Sequence, residues 1–197
     1  MPSRQTKVTT PRNPSASLLN LAILKDHVRD HRISSETMLD FYAQAAEDQL
    51  DGPEGLLALC LRTQTLTHTF KSRDGESYCR AQILFGPIQS IDSVSLGGTA
   101  LPATDYEFCE DLGIGYVELV TPTTEDLVVV ATHGYGDDAA DVPANIRAAS
   151  YLFAAELFRH RGLTLSGPAE LVQLVPLFDQ IVSLNSRVGQ TTQNWSR

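Results

Sequence analysis

Residues 137–162 read DDAADVPANIRAASYLFAAELFRHRG, and this stretch decides how the rest of the chain must be arranged. It predicts one long buried helix. Pro143 suits the first helical position, because its φ is already helical and its missing N–H would be unpaired there anyway. Asp137, Asp138 and Asp141 stand just ahead, where the positive end of the helix dipole favours carboxylates. Ile146, Ser150, Phe153 and Leu157 share one face, and Tyr151, Leu152, Ala155 and Phe158 fill much of a second. Ala144, Ala148, Ala149, Ala154 and Ala155 favour helix and let neighbours approach closely. Arg159, His160 and Arg161 complement the negative end, and Gly162 supplies the left-handed stop. A helix apolar on two sides needs cover on two sides, from the rest of the chain or from a neighbouring subunit.

Working back from this helix, the periodicity is two-residue. Thr63, Thr65, Thr67 and Thr69 alternate with Gln64, Leu66, His68 and Phe70, a strand signature. Further strands are expected at Tyr78–Phe85, at Ile88–Leu96 with an irregularity after Gln89, and at Tyr106–Cys109, Tyr116–Val120 and Leu127–Thr132. Gly97-Gly98 reads as a hairpin turn. Earlier still, Leu18–Arg29 is a short amphipathic helix. Ser34 or Ser35 caps a second, whose inward side is expected to hold Met38, Phe41, Tyr42, Ala45, Ala46 and Gln49. Beyond the central helix, Pro168–Leu184 has helical apolar spacing interrupted by Pro176.

The expected class is α+β: a helical bundle core with an inserted small antiparallel β-domain and flexible terminal arms. The divisions are a flexible N-terminal arm at 1–17, a first helical part at 18–61, the β-domain at 62–136, a second helical part at 137–184 and a C-terminal arm at 185–197. The N-terminal arm carries Arg4, Lys7 and Arg12 and no acid, and lacks periodicity.

The chain of 197 residues is long enough for a sizeable core. No apolar run approaches a bilayer span, and no apolar signal core opens the chain, so synthesis in a cytoplasm and no membrane contact are expected. Cys60, Cys79 and Cys109 are widely spaced and odd in number, which argues against a disulfide framework or a zinc site. A formal charge of −9 disfavours tight binding to DNA or anionic membranes. It is compatible with a duct through which DNA slides without being gripped.

Chemical constellations are thin. His27 and His31 have the spacing of two metal ligands on one helix, but no second Cys/His pair accompanies them. His133 beside Gly134-Tyr135-Gly136 fits a strand-ending turn better than a catalytic base. Neighbouring carboxylates Glu110 and Asp111 raise the pKa of Cys109, the wrong direction for a nucleophile. Glu107, Glu110 and Asp111 lack the pattern of a calcium loop. No phosphate-binding glycine motif or nucleophile elbow is present. The expectation is a protein without catalytic residues, metal or cofactor.

Four pieces, in order, resemble the head–tail connector proteins of long-tailed phages and gene transfer agents, also called adaptor or head-completion proteins. They are Leu24-Lys25-Asp26-His27-Val28-Arg29, Leu61-Arg62-Thr63-Gln64-Thr65, Leu84-Phe85-Gly86-Pro87-Ile88-Gln89-Ser90-Ile91-Asp92-Ser93-Val94, and Gly134-Tyr135-Gly136 followed by Asp141-Val142-Pro143-Ala144-Asn145-Ile146-Arg147 with Ala149. Phe85 stands where the resemblance leads one to expect proline. The resemblance implies a structural virion protein at the head–tail interface: a dodecameric ring of this chain beneath the portal protein, extending the DNA channel and meeting a tail-side connector or stopper. DNA would pass without sequence-specific binding. On that reading, Ile146, Phe153, Leu157 and Phe158 are expected to pack the ring. The C-terminal segment is expected to dock on the portal through Arg187, Thr191, Thr192, Gln193, Trp195 and Arg197, with the lone tryptophan as anchor. Two other readings remain: a small β-sheet module binding a peptide or glycan on a helical mount, and a hydrolase using His133 with a cysteine or carboxylate. The helices on both sides of the sheet region weigh against the first, and the missing catalytic set against the second.

Overall fold

A computed structural model describes residues 2–13, 17–29, 36–111 and 114–159. Within it the chain divides into two compact units, one of Met1–Asn13 with Leu59–Tyr135, the other of Pro14–Ala58 with Gly136–Arg197. Eight strands and three α-helices are described, with 39% of the described residues in strand against 29% in helix. The expected helical bundle core with a β-domain as appendage is therefore wrong. The described residues are mostly β, with two antiparallel sheets. The physical reason is length: three described helices of 8, 15 and 16 residues cannot outweigh a double-layered sheet with its own core.

The first unit contains all the described strands: β1 (Ser3–Thr10), β2 (Gln64–Lys71), β3 (Tyr78–Ile83), β4 (Ile88–Leu96), β5 (Thr99–Ala100), β6 (Tyr106–Asp111), β7 (Ile114–Thr123) and β8 (Leu127–His133). One sheet has the order β1-β2-β8-β4-β5 and the other β3-β7-β6. The two-residue period does the sorting. Gln64, Leu66, His68 and Phe70 of β2 and Leu127, Val129, Ala131 and His133 of β8 are buried, and the residues between them are half-buried. Phe70, Val94, Leu127 and Val129 of the larger sheet pack with Tyr78, Ala81, Ile83, Val117 and Leu119 of the smaller, which makes a sandwich core. The irregularity expected after Gln89 appears as a register shift between Ile88 and Ser90. The Gly97-Gly98 turn joins β4 to β5, with positive φ at both glycines. Phe85 has a φ of 68°, a left-handed conformation that a proline ring forbids. The departure from the expected proline thus has a backbone counterpart.

Ser3–Thr10 differs from the expected flexible arm. It is a strand, paired antiparallel with β2 from Ser3↔Lys71 to Thr10↔Thr65. It buries no side chain, so the apolar period carried no trace of it. What holds it is the ladder itself, with a Thr9–Thr67 hydroxyl contact and a 3.0 Å contact between Thr6 Oγ1 and His68 Nδ1.

The second unit holds α1 (Leu21–Val28), α2 (Glu36–Leu50), a 3-10 turn (Ala139–Asp141) and α3 (Ala144–Arg159). Asn20 caps α1, its side-chain oxygen accepting from the N–H groups of Ala22 and Ile23. Pro143 lies one position ahead of α3, and its carbonyl accepts from Arg147 N–H at 3.0 Å. The core is Leu19, Leu24, Leu39, Ala43, Ala46, Ala154, Ala155 and Phe158. Facing alanines on α2 and α3 let these helices pack closely, as the alanine-rich central helix predicted. The phase of α2 was not as expected. Leu39, Ala43, Ala46, Glu47 and Leu50 are buried, whereas Met38 and Phe41, assigned inward, are 43% and 60% exposed. Gln49 is exposed too.

Candidate functional site

Two kinds of feature are available for function: a buried polar cluster in the sandwich, and surfaces or edges left uncovered in each unit.

His68 on β2 and His133 at the end of β8 are fully buried, and their Nε2 atoms lie 3.1 Å apart. One imidazole must donate and the other accept, so the pair is compatible with two neutral rings. Burial pushes the pKa of His68 down to about 3, helped by the nearby His133 and by Arg4. Burial likewise pushes His133 down to about 4, against the opposing pull of the Phe85 carbonyl and the Asp92 carboxylate. Both are neutral at ordinary pH. His133, weighed from sequence as a base beside a glycine turn, ends a strand as expected. Its ring faces His68, and no solvent reaches it. The turn after it is forced: Gly134 has a φ of 115°, and a Cβ there would collide with the Arg62 backbone. The sequence held no sign of the pair, because its members lie 65 positions apart and only strand pairing joins them.

The remaining candidates scatter. Cys60 is buried, Cys79 exposed and Cys109 half-buried. The thiol of Cys109 is pushed up by burial and then by the carboxylates of Glu107 and Glu118, with Arg80 opposing. Among the described residues no group of three or more His, Cys, Asp or Glu is placed to hold a metal ion. No described helix is long and apolar enough to cross a membrane. His27 is exposed, and His31 lies outside the described residues.

Of the residues expected to pack a ring, Ile146 and Phe158 are buried within their own unit. Phe153 and Leu157 are partly buried beside that core and keep some surface. Arg187, Thr191, Thr192, Gln193, Trp195 and Arg197 lie outside the described residues. The sequence reading missed two surface features. Ile23 on α1 and Met38 and Phe41 on α2 are exposed apolar side chains in the helical unit. The missed clue was that Leu39, Ala43, Ala46 and Leu50 already form a complete stripe at helical spacing, which turns Met38 and Phe41 outward. The second feature is the set of sheet edges: among the described residues, β1, β5, β3 and β6 each have a ladder partner on one side only.

A buried carboxylate was equally silent in the sequence. Glu47 of α2 accepts from Leu19 N–H at 2.9 Å and from the Ser17 hydroxyl at 2.7 Å, tying the segment before α1 to the helix pair.

The described residues thus offer edges and apolar surface rather than a converged set of reacting groups. Several solved structures share this fold. The chain is similar to a chain in the neck of an empty gene transfer agent particle computed with C6 symmetry, at 17% identity and a TM-score of 0.63, over 90% of this chain and 94% of that one. It is similar to one in the virion of a native gene transfer agent particle, at 17% identity and a TM-score of 0.64, over 89% and 94%. It is also similar to one in the neck of the native particle computed with C12 symmetry, at 15% identity and a TM-score of 0.60, over 90% and 94%. No protein-family model matches the chain, and no curated protein matches it in sequence. The likeness is one of fold, and it agrees with the resemblance to connector proteins of phages and gene transfer agents read from the residues.

Proposed function

We propose that this chain is a structural virion protein, a head–tail connector that forms a ring beneath a portal, extends the DNA channel and joins head to tail. The observation that carries the proposal is the extent of the fold likeness, which takes in about nine-tenths of this chain and nearly all of each neck or virion chain. A shared small module would match over one unit alone. Twelve copies satisfy both sixfold and twelvefold symmetry, which favours a dodecamer for this chain. The formal charge of −9 supports a channel wall that lets DNA slide. Phe153 and Leu157 keep their place as ring-packing residues, whereas Ile146 and Phe158 serve the subunit's own core.

The C-terminal segment is the proposed portal contact, with Trp195 as anchor and Arg187, Thr191, Thr192, Gln193 and Arg197 around it. Burying one large side chain contributes roughly 1.5–3 kcal/mol. Ordering each residue costs about 1–2 kcal/mol, so added-strand hydrogen bonds and ring avidity must supply the rest. The test is binding to purified portal by the full chain, by a truncation after Leu184 and by Trp195→Ala. The truncation should abolish binding and the substitution should weaken it. A truncated protein that binds as well as the full chain refutes the docking role.

A further inference from the structure

On the inner face of the larger sheet, burial ends between β2 and β1. Directly opposite residues of an antiparallel pair share a face, so Arg4 stands beside Phe70, Thr6 beside His68 and Val8 beside Leu66. The three on β2 are buried, at 2%, 0% and 0% exposure. Of the three on β1, Arg4 is exposed, Thr6 is half-buried and Val8 is 38% exposed. β1 therefore rests against the core without entering it. An edge strand with no buried stripe has little apolar energy to hold it in place. Beyond the ladder, it is held by side-chain contacts: Ser3 Oγ donates to the Lys71 carbonyl at 3.5 Å, the Thr9 and Thr67 hydroxyls meet, and Thr6 meets His68. Of these, the Thr6 contact reaches the interior.

That contact continues inward. Thr6 Oγ1 lies 3.0 Å from His68 Nδ1, and His68 Nε2 lies 3.1 Å from His133 Nε2. Two neutral rings carry two protons, and either tautomer arrangement satisfies both contacts, because the hydroxyl can donate or accept. A third proton would put a net charge in a buried site. A fourth would set two N–H groups head to head. Among the described residues, Arg4 of β1 opposes a proton on His68, while Asp92 of β4 and the Phe85 carbonyl favour one on His133. The Phe70 ring stacks on the His68 ring, with centroids 6.4 Å apart, and supplies no charge.

The pair can accept that charge only by meeting water. Parting β8 from β2, or one sheet from the other, would expose the core built on Phe70, Leu127 and Val129. Moving β1 uncovers no buried side chain of its own and frees His68 Nδ1. β1 is therefore the least costly wall of the site to open.

We infer that the N-terminal strand is an acid-released latch: β1 stays docked on β2 while the buried histidine pair is neutral, and protonation of the pair frees it while the two sheets remain stacked. The Thr6 hydroxyl is the catch, and the rest of the sandwich is the frame. Release is a local opening, of the kind expected where few side chains are buried. The latch does not depend on the connector reading.

The test is amide hydrogen exchange of the full chain, read residue by residue by NMR from pH 7 to pH 4.5 and corrected for the intrinsic pH dependence of exchange. A histidine that regains its ordinary pKa of 6.5 when β1 leaves makes opening more favourable as the pH falls below that value, by about tenfold per pH unit. From pH 6 to pH 4.5 the opening constant of β1 should rise roughly 30-fold, together with that of the β2 amides that face it, and more than that of β4 or β7. His68→Gln keeps an acceptor for the Thr6 hydroxyl and cannot charge, so the rise should shrink to less than about threefold. Thr6→Val keeps the side-chain shape on an exposed strand and removes the catch, so β1 should open about tenfold more often at pH 7. The comparison of β1 with β4 and β7 in the native chain stands even if His68→Gln folds poorly. A β1 opening constant that stays level on acidification, or that rises only together with those of β4 and β7, overturns the latch. An equal rise in His68→Gln assigns the acid response to another group and overturns it as well. Unchanged β1 exchange in Thr6→Val overturns the role of the catch.

Discussion

The sandwich and the helical unit solve the problem of burial differently. The sandwich packs large apolar residues, Phe70, Ile83, Leu127 and Val129 among them, between two sheets that cover each other. What it leaves open among the described residues is backbone, at the edge strands β1, β5, β3 and β6. Among the described residues, the helical unit buries an alanine-rich core and leaves apolar side chains outside, at Ile23, Met38 and Phe41. The contrast teaches that the two units are prepared for different contacts. One presents strand edges, and the other presents apolar side chains.

The largest effects should come from the two cores, and they should be comparable despite the difference in composition. Phe70→Ala in the sandwich is expected to cost about 3–5 kcal/mol, and Phe158→Ala in the helical unit a similar amount, since both rings are buried. Urea denaturation with hydrogen exchange by segment measures both. A loss below 1 kcal/mol at either site would mean that its unit is not organised around that residue.

The next effect separates the units by pH. His68 and His133 are held below the ordinary histidine pKa of 6.5, at about 3 and about 4. The unfolded chain therefore binds more protons than the folded one between those values and 6.5. Stability is full above pH 6.5 and falls as the pH drops towards 4, by up to about 1.4 kcal/mol per pH unit for each histidine. The loss should register first in exchange protection of β2 and β8. In His68→Gln/His133→Gln the slope over this window should flatten. An unchanged slope would remove the pair from the account of the sandwich.

Glu47→Ala should cost the helical unit about 1–3 kcal/mol, because Leu19 N–H and the Ser17 hydroxyl lose a buried acceptor. The smallest effect on folding should come from Phe41→Ser with Met38→Ser, within about 0.5 kcal/mol of the parent chain for residues so exposed. Assembly on the portal, seen by sedimentation, should nevertheless weaken. A double variant that loses stability and still assembles would reverse the proposed roles of the inner and outer faces of α2.

The sequence was informative where one periodicity dominated. Thr63–Phe70 alternated cleanly, and β2 runs Gln64–Lys71. Pro143 and the alanines located α3 to within a position or two at its start. Reading failed where the deciding interaction was tertiary or left no apolar trace. β1 buries nothing, so its strand character lies in hydrogen bonds to β2 that no local pattern announces. Phe41 was placed inward because aromatic residues usually are, while the smaller Ala43 and Leu39 took the buried stripe. The balance of the fold was misjudged for a related reason. The central helix announces itself locally, whereas the strands, each short and unremarkable alone, share a core that appears only when the two sheets stack. The candidate surfaces followed suit, since edges and outer faces become visible only once strand order is known.

The proposed ring at a portal can be tested directly. The most direct measurement is electron microscopy of the purified full-length protein mixed with purified portal rings. The connector account predicts an added collar coaxial with the portal, with twelve copies of this chain and an open central channel. Portal rings that remain bare at saturating protein, or that bind scattered single copies without a closed collar, would contradict it.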